Sequence, residues 1–138
     1  MDKNLGFKSL SHLSLFSRDL AKVKSFYCDI LNFKIAHTFI NKKKKIYGIF
    51  IIFNHGKIML EFFLTKKKFK ENQKYRHLCL EVKNIKKTEL FFRKKGFNTK
   101  LSRGRTDKTL NFFVKDFENN VIEFHQYDLK SKLKTFLK

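Results

Sequence analysis

Apolar and polar residues alternate in two short segments that lie far apart in the chain, at 10–16 and 76–82. Successive side chains of a strand point to opposite faces, so this alternation predicts two strands that each bury one face. Further extended runs follow both segments and are bounded by turn-forming residues. They predict six more strands, at 33–40, 46–53, 57–64, 97–101, 109–114 and 121–127.

A helix is predicted between the first and second strands of each set. Asp19 and Asn84 stand where a helix N-cap is expected, because their side chains can accept hydrogen bonds from the first free N–H groups of a helix. Largely apolar stripes then follow at helical spacing. Asn32 and Gly96 come after these stripes and predict where each helix ends.

The two sets of elements are copies of one unit. A shift of 65 positions lays His12 on His77, and the ends of the sets align as IMLEF on NVIEF. The order in each copy is β-α-β-β-β, so we predict an α+β protein made of two tandem βαβββ modules. The predicted boundaries are 9–64 and 75–127 for the modules, 65–74 for a charged linker and 128–138 for a tail that forms a short basic helix.

Length and composition fit one domain with its own core. The chain has 138 residues, of which 42% are hydrophobic, and its 18 Phe make it too apolar for a disordered protein. It has no apolar run of membrane-spanning length, and its first residues lack the apolar stretch of a secretory signal. We therefore expect a cytoplasmic protein without a membrane partner, in which Cys28 and Cys79 are reduced.

The formal charge of +20 raises the question of a nucleic-acid partner. Lys residues are spread along the whole chain, with local runs only at 42–45 and 66–68, and no nucleic-acid recognition motif is visible. The abundance of Lys, Asn, Ile and Phe is typical of a strongly biased genome. We expect no specific nucleic-acid partner, and the charge favours a small anionic ligand.

Strand alternation puts four polar residues on the faces opposite the predicted core. His12 and His77 lie in the opening segments, and Glu61 and Glu123 lie in the last strand of each module. Both Glu residues have apolar neighbours in sequence, and an unpaired carboxylate is costly to bury. A cation would offset that cost, so we predict a metal site formed by these four residues.

Two imidazoles and two carboxylates suit a divalent ion, with Zn or Ni preferred and Mn, Co or Fe also compatible. The spacing leaves open whether the residues form a closed structural site or an octahedral one with two free positions. An open site would polarise a carbonyl or stabilise an enediolate, with a Glu as the proton shuttle.

Four segments of the chain resemble the vicinal oxygen chelate superfamily, which contains glyoxalases, bleomycin resistance proteins and dioxygenases. They are SHLSLFSRDLAKVKSFYCDILNFKI, KIMLEFF, YRHLCLEVKNIKKTELFFRKKGF and FFVKDFENNVIEFHQY. The resemblance extends over residues 10–127. It is strongest to small bacterial glyoxalase I-like proteins, which have the same order of His, Glu, His and Glu.

The resemblance implies paired modules that form a cupped eight-stranded mixed sheet around a metal held by His12, Glu61, His77 and Glu123. It implies a metal-dependent lyase or isomerase of glyoxalase I type acting on a vicinal-oxygen substrate such as the thiol adduct of a 2-oxoaldehyde. The ligating Glu61 and Glu123 would also move the substrate proton, with Glu123 the first choice of base. The resemblance also favours a homodimer.

Other functions within the same superfamily stay open. One alternative is a protein that sequesters a ligand or confers antibiotic resistance, and the basic charge would suit an anionic antibiotic. A ring-cleaving dioxygenase is less favoured, because that chemistry uses two His and one carboxylate and a fourth ligand would occupy a coordination position.

Three further residues are candidate substrate ligands. His125 shares the strand face of Glu123 and is predicted to line the cavity. Arg103 and Arg105 lie in a basic segment that could clamp a carboxylate or a phosphate. Cys79 also faces the predicted cavity, although the sequence identifies no catalytic partner for it.

Overall fold

The structure is a computed structural model that describes residues 11–53, 58–68 and 76–136. The chain divides into two units, Met1–Lys68 and Phe69–Lys138. Each unit has a four-stranded mixed sheet and a helical segment after its first strand, which confirms the α+β class and the repeated βαβββ order. The structure therefore has eight strands in the described residues, arranged as two hydrogen-bonded sheets of four.

In the first unit, β1 (His12–Ser17) pairs in parallel with β4 (Met59–Leu64). The remaining pairs are antiparallel and give the order β1-β4-β3-β2, with β2 at Lys34–Ile40 and β3 at Ile46–Ile52. The helical segment packs against one face of this sheet, since the buried ring of Tyr27 on the helix lies 5.1 Å from the ring of Phe62 on β4. We call the opposite face of the sheet the open face.

The first helix changes its winding, whereas the sequence predicted a uniform helix. It begins as α1 (Leu20–Val23) and continues as a π-helical segment, Lys24–Ile30. Asp19 caps its start as predicted, and Asn32 follows its end in the left-handed conformation, at φ 58°. The stretch from Asp19 to Asn32 is one residue longer than the corresponding stretch from Asn84 to Gly96 in the second unit. A wider π turn accommodates one extra residue between fixed ends.

The second unit repeats the topology in the order β5-β8-β7-β6, with β5 parallel to β8. Its elements are β5 (Leu78–Glu81), α2 (Ile85–Lys94), β6 (Ser102–Arg103), β7 (Leu110–Lys115) and β8 (Val121–Gln126). Gly96 follows α2 at φ 87°, as the sequence predicted. Rings of α2 and the sheet form the core: Phe92 lies 4.9 Å from Phe124 and 5.9 Å from Phe112.

The predicted strand at 97–101 is wrong, because only Ser102–Arg103 pairs with β7. The hydroxyl of Thr99 donates a 2.6 Å hydrogen bond to the buried carboxylate of Glu89 on α2. This bond ties the segment to the helix. Residues 97–101 therefore have a strand-like sequence pattern but pack beside α2 and do not join the sheet.

The tail forms a 3-10 helix at Lys132–Phe136, so the predicted basic helix is not confirmed as a regular amphipathic one. Of the predicted linker, residues 69–74 lie outside the described part of the chain. Within the described ranges, none of the helices combines the length and apolarity that crossing a membrane requires.

Replacing Asn84 by Ala is expected to lower the free energy of unfolding by about 1 kcal/mol. The Asn84 side chain accepts a 3.0 Å hydrogen bond from the backbone N–H of Lys87, and Ala cannot replace that acceptor. Urea unfolding followed by circular dichroism measures the change. The exposed Asn98, beyond the helix, provides a control, since Asn98→Ala should change stability by less than about 0.5 kcal/mol. Equal stability of the two variants would contradict the capping role.

Candidate metal centre

The open face of the first unit brings His12 and Glu61 together. Glu61 lies beside Phe50 of the neighbouring strand, and His12 reaches the carboxylate from the start of β1. The His12 Nε2 atom is 3.9 Å from the Glu61 Oε2 atom, and its ring packs edge-on against Phe50 at 5.3 Å. Glu61 is buried, so its charge is largely removed from water.

The second unit repeats this arrangement on the face of its sheet opposite α2, which is its open face. His77 Nε2 lies 3.0 Å from Glu123 Oε2, and the His77 ring packs edge-on against Phe113 at 5.9 Å. Phe113 stands opposite Glu123 in the strand register, as Phe50 stands opposite Glu61. The structure therefore brings two of the four predicted ligands together within each unit. That all four bind one ion stays a prediction.

Glu123 accepts a side-chain hydrogen bond that has no counterpart at Glu61 among the residues that the structure describes. The Asn111 amide donates a 3.0 Å hydrogen bond to Glu123 Oε1, and Asn111 in turn accepts a 2.6 Å bond from the Ser102 hydroxyl. In the first unit Gly48 occupies the position of Asn111, and the Phe63 ring covers it so closely that a Cβ atom there would lie 2.6 Å from the ring. Asn111 is a functional candidate that sequence reasoning missed.

Cys79 and His125 lie next to each other on the open face of the second unit. The Cys79 Sγ atom is 3.2 Å from the His125 Nδ1 atom. One ligand atom from each of Cys79, Glu123 and His125 lies within 4.8 Å of the others. Burial, together with the negative charge of Glu123, raises the pKa of the Cys79 thiol to about 12.

Arg103, a predicted substrate ligand, has its guanidinium engaged by Asp128. Its two terminal nitrogens donate to the Asp128 carboxylate at 2.7 and 3.1 Å, and one of them also donates to the Lys108 carbonyl. The hydrogen bond from Arg103 holds the pKa of the Asp128 carboxyl well below its usual range. Arg105 is exposed. Substrate binding by either Arg or by His125 stays a prediction.

Residues 9–124 match the family model of the Glyoxalase/Bleomycin resistance protein/Dioxygenase superfamily. The chain belongs to this superfamily. A comparison with curated proteins gives no match.

Solved structures of superfamily proteins share the fold. A glyoxalase family protein from Enterococcus faecalis is 23% identical, with a TM-score of 0.71 over 86% of this chain and 98% of that one. Lactoylglutathione lyase from Agrobacterium tumefaciens is 15% identical, with a TM-score of 0.67 over 88% and 95%. The fosfomycin resistance protein FosX from Listeria monocytogenes is 17% identical, with a TM-score of 0.68 over 92% and 99%. At these identities the likeness shows the fold alone.

The side chains of His12, Glu61, His77 and Glu123 fit a divalent cation. The chain has 32 Lys and Arg residues against 12 Asp and Glu residues, so basic partners for a carboxylate are abundant. In the described ranges, however, the ion-pair partners of Glu61 and Glu123 are the imidazoles of His12 and His77. Imidazole nitrogens and carboxylate oxygens are ligands that Zn and other divalent ions accept in proteins.

Proposed function

We propose that the protein is a metal-dependent enzyme of glyoxalase I type, which moves a proton between adjacent carbons of a vicinal-oxygen substrate. The observation that carries this proposal is the repeated arrangement of His, Glu and Phe on the open face of both units. The substrate class is a small anionic molecule, such as the adduct of a 2-oxoaldehyde with a thiol. We also propose that the protein is a cytoplasmic homodimer. Sizing chromatography with light scattering tests whether it is a dimer.

The proposed ligands are His12, Glu61, His77 and Glu123. A bound divalent ion would supply charge stabilisation for the two substrate oxygens while a proton is removed from carbon. Zn or Ni is our preferred ion, with Mn, Co or Fe as alternatives.

Glu123 is the proposed base. The Asn111 amide donates to Oε1 of its carboxylate, and His77 lies 3.0 Å from Oε2. We assign to Oε2 the transfer of the proton from one carbon to the next. Glu61 is the second candidate for this proton transfer. Its neighbour Phe50 stands opposite it in the register of β3 and β4, and the His12 ring packs against the same Phe50.

The reaction class is tested with metal-loaded protein and the hemithioacetals of methylglyoxal with several thiols, in the presence and absence of oxygen. We expect turnover that is independent of oxygen, because an isomerisation is redox-neutral, and we expect Glu123→Gln to lower kcat by about 100-fold or more. Turnover that requires oxygen would contradict an isomerisation. Metal binding without turnover of any adduct would contradict the glyoxalase assignment but would not contradict the proposed metal ligands.

A further inference from the structure

The two copies of the module differ at two positions beside the conserved pair of His and Glu. Cys79 stands opposite Glu123 in the strand register, where the first unit has Ser14 opposite Glu61. His125 lies two residues after Glu123, and Phe63 lies two residues after Glu61. The second unit therefore carries two additional metal-binding side chains that the first unit lacks at these positions.

We propose that Cys79, Glu123 and His125 form a thiolate-containing metal site within the second unit, selective for Zn²⁺. Its donor atoms already lie close together: Sγ is 3.2 Å from Nδ1, and the whole group spans at most 4.8 Å. Zinc bonds of about 2.0 to 2.3 Å put tetrahedral ligand atoms about 3 to 4 Å apart, so small side-chain movements complete the geometry.

The chemistry of the three donors distinguishes this site from the one formed by His12, Glu61, His77 and Glu123. A thiolate favours zinc over harder ions such as Mn²⁺, which prefer oxygen ligands. Three protein ligands also leave a fourth position for water. Binding removes the Cys79 proton to solvent, as metal binding by a thiol requires.

The two sites share Glu123 but are otherwise separate. His77 contacts Glu123 Oε2, and Asn111 donates to Glu123 Oε1. The thiolate site requires neither His12, Glu61 nor His77, so it does not rest on the proposed enzymatic function. Removal of His77 should leave it intact.

Cobalt titration of the full-length, metal-free and reduced protein tests the proposal, because Co²⁺ occupies zinc sites and gives a charge-transfer absorption band when a thiolate binds it. We expect this band in the unmodified protein and in Cys28→Ser, the matched control that retains Cys79. Cys79→Ser should abolish the band, and His125→Gln should weaken Co²⁺ binding at this site by more than about 100-fold, because losing a ligand costs more than losing a residue that supports one. His77→Ala should keep the band.

Three results would overturn the proposal. They are the absence of the band in the unmodified protein, its persistence in Cys79→Ser, and its loss in His77→Ala, which would assign the thiol to the ion of the other site. X-ray absorption of the zinc-loaded protein gives a readout that does not depend on variants. We expect one sulfur neighbour at about 2.3 Å, and a zinc shell of nitrogen and oxygen alone would contradict the site.

Discussion

His77→Ala is expected to lower the metal affinity of the site formed by His12, Glu61, His77 and Glu123 by more than about 100-fold, and to abolish turnover at micromolar metal. Loss of a side chain that merely supports a metal ligand costs about 10- to 100-fold in affinity, so loss of a ligand should exceed that range. The variant also leaves Glu123 without the imidazole that lies 3.0 Å from its carboxylate. Elemental analysis after dialysis, together with kcat/KM on a hemithioacetal, measures both effects.

His37→Ala is the matched control for this experiment. His37 is an exposed imidazole in β2 whose ring packs edge-on against Phe39 at 4.8 Å, and the strand β3, with Phe50 opposite His37, lies between it and Glu61. We expect this variant to keep the metal content of the unmodified protein. A His77→Ala protein with unchanged metal content and turnover would show that His77 is not a ligand.

Phe92→Ala is expected to destabilise the protein by about 3 to 5 kcal/mol, the range for deleting a buried aromatic ring. Phe92 is 1% exposed, and its ring lies within 6 Å of those of Phe97, Phe112 and Phe124. The deletion therefore leaves a cavity among rings that are held by both α2 and the sheet. Denaturant unfolding followed by fluorescence and circular dichroism measures the change.

The neighbouring Phe91 provides the control for the same helix and the same chemical change. Phe91 is 42% exposed, and Lys95 covers its ring at 5.2 Å. Phe91→Ala should cost about 1 to 2 kcal/mol, since much of this ring stays in water and Ala is the better helix former. Similar costs for the two variants would contradict the assignment of Phe92 to the core.

The duplicated pattern was enough to predict most of the fold. The strand segments and the two helix caps follow from local chemistry, and Asn84 and Gly96 show this at the two ends of α2. The π winding of Lys24–Ile30 and the missing strand at 97–101 did not follow. Both depend on tertiary constraints, namely an extra residue between fixed ends and the hydrogen bond from Thr99 to Glu89.

Alternation correctly predicted that His12 shares a face with Glu61, and His77 with Glu123, because a strand has a period of two. It did not identify Asn111 or the contact of Cys79 with His125. Alternation fixes the face of a side chain but leaves its neighbours across the sheet undefined. Those neighbours depend on strand register, which puts Asn111 opposite His125 and Cys79 opposite Glu123.

A crystal structure of the metal-loaded protein, with anomalous data at the absorption edge of the metal, tests the central proposal most directly. We predict one ion bonded to a nitrogen of His12 and of His77 and to an oxygen of Glu61 and of Glu123, at about 2.0 to 2.2 Å. A structure in which the four side chains lie more than about 10 Å apart in every assembly would contradict it, because no single ion could then contact them all.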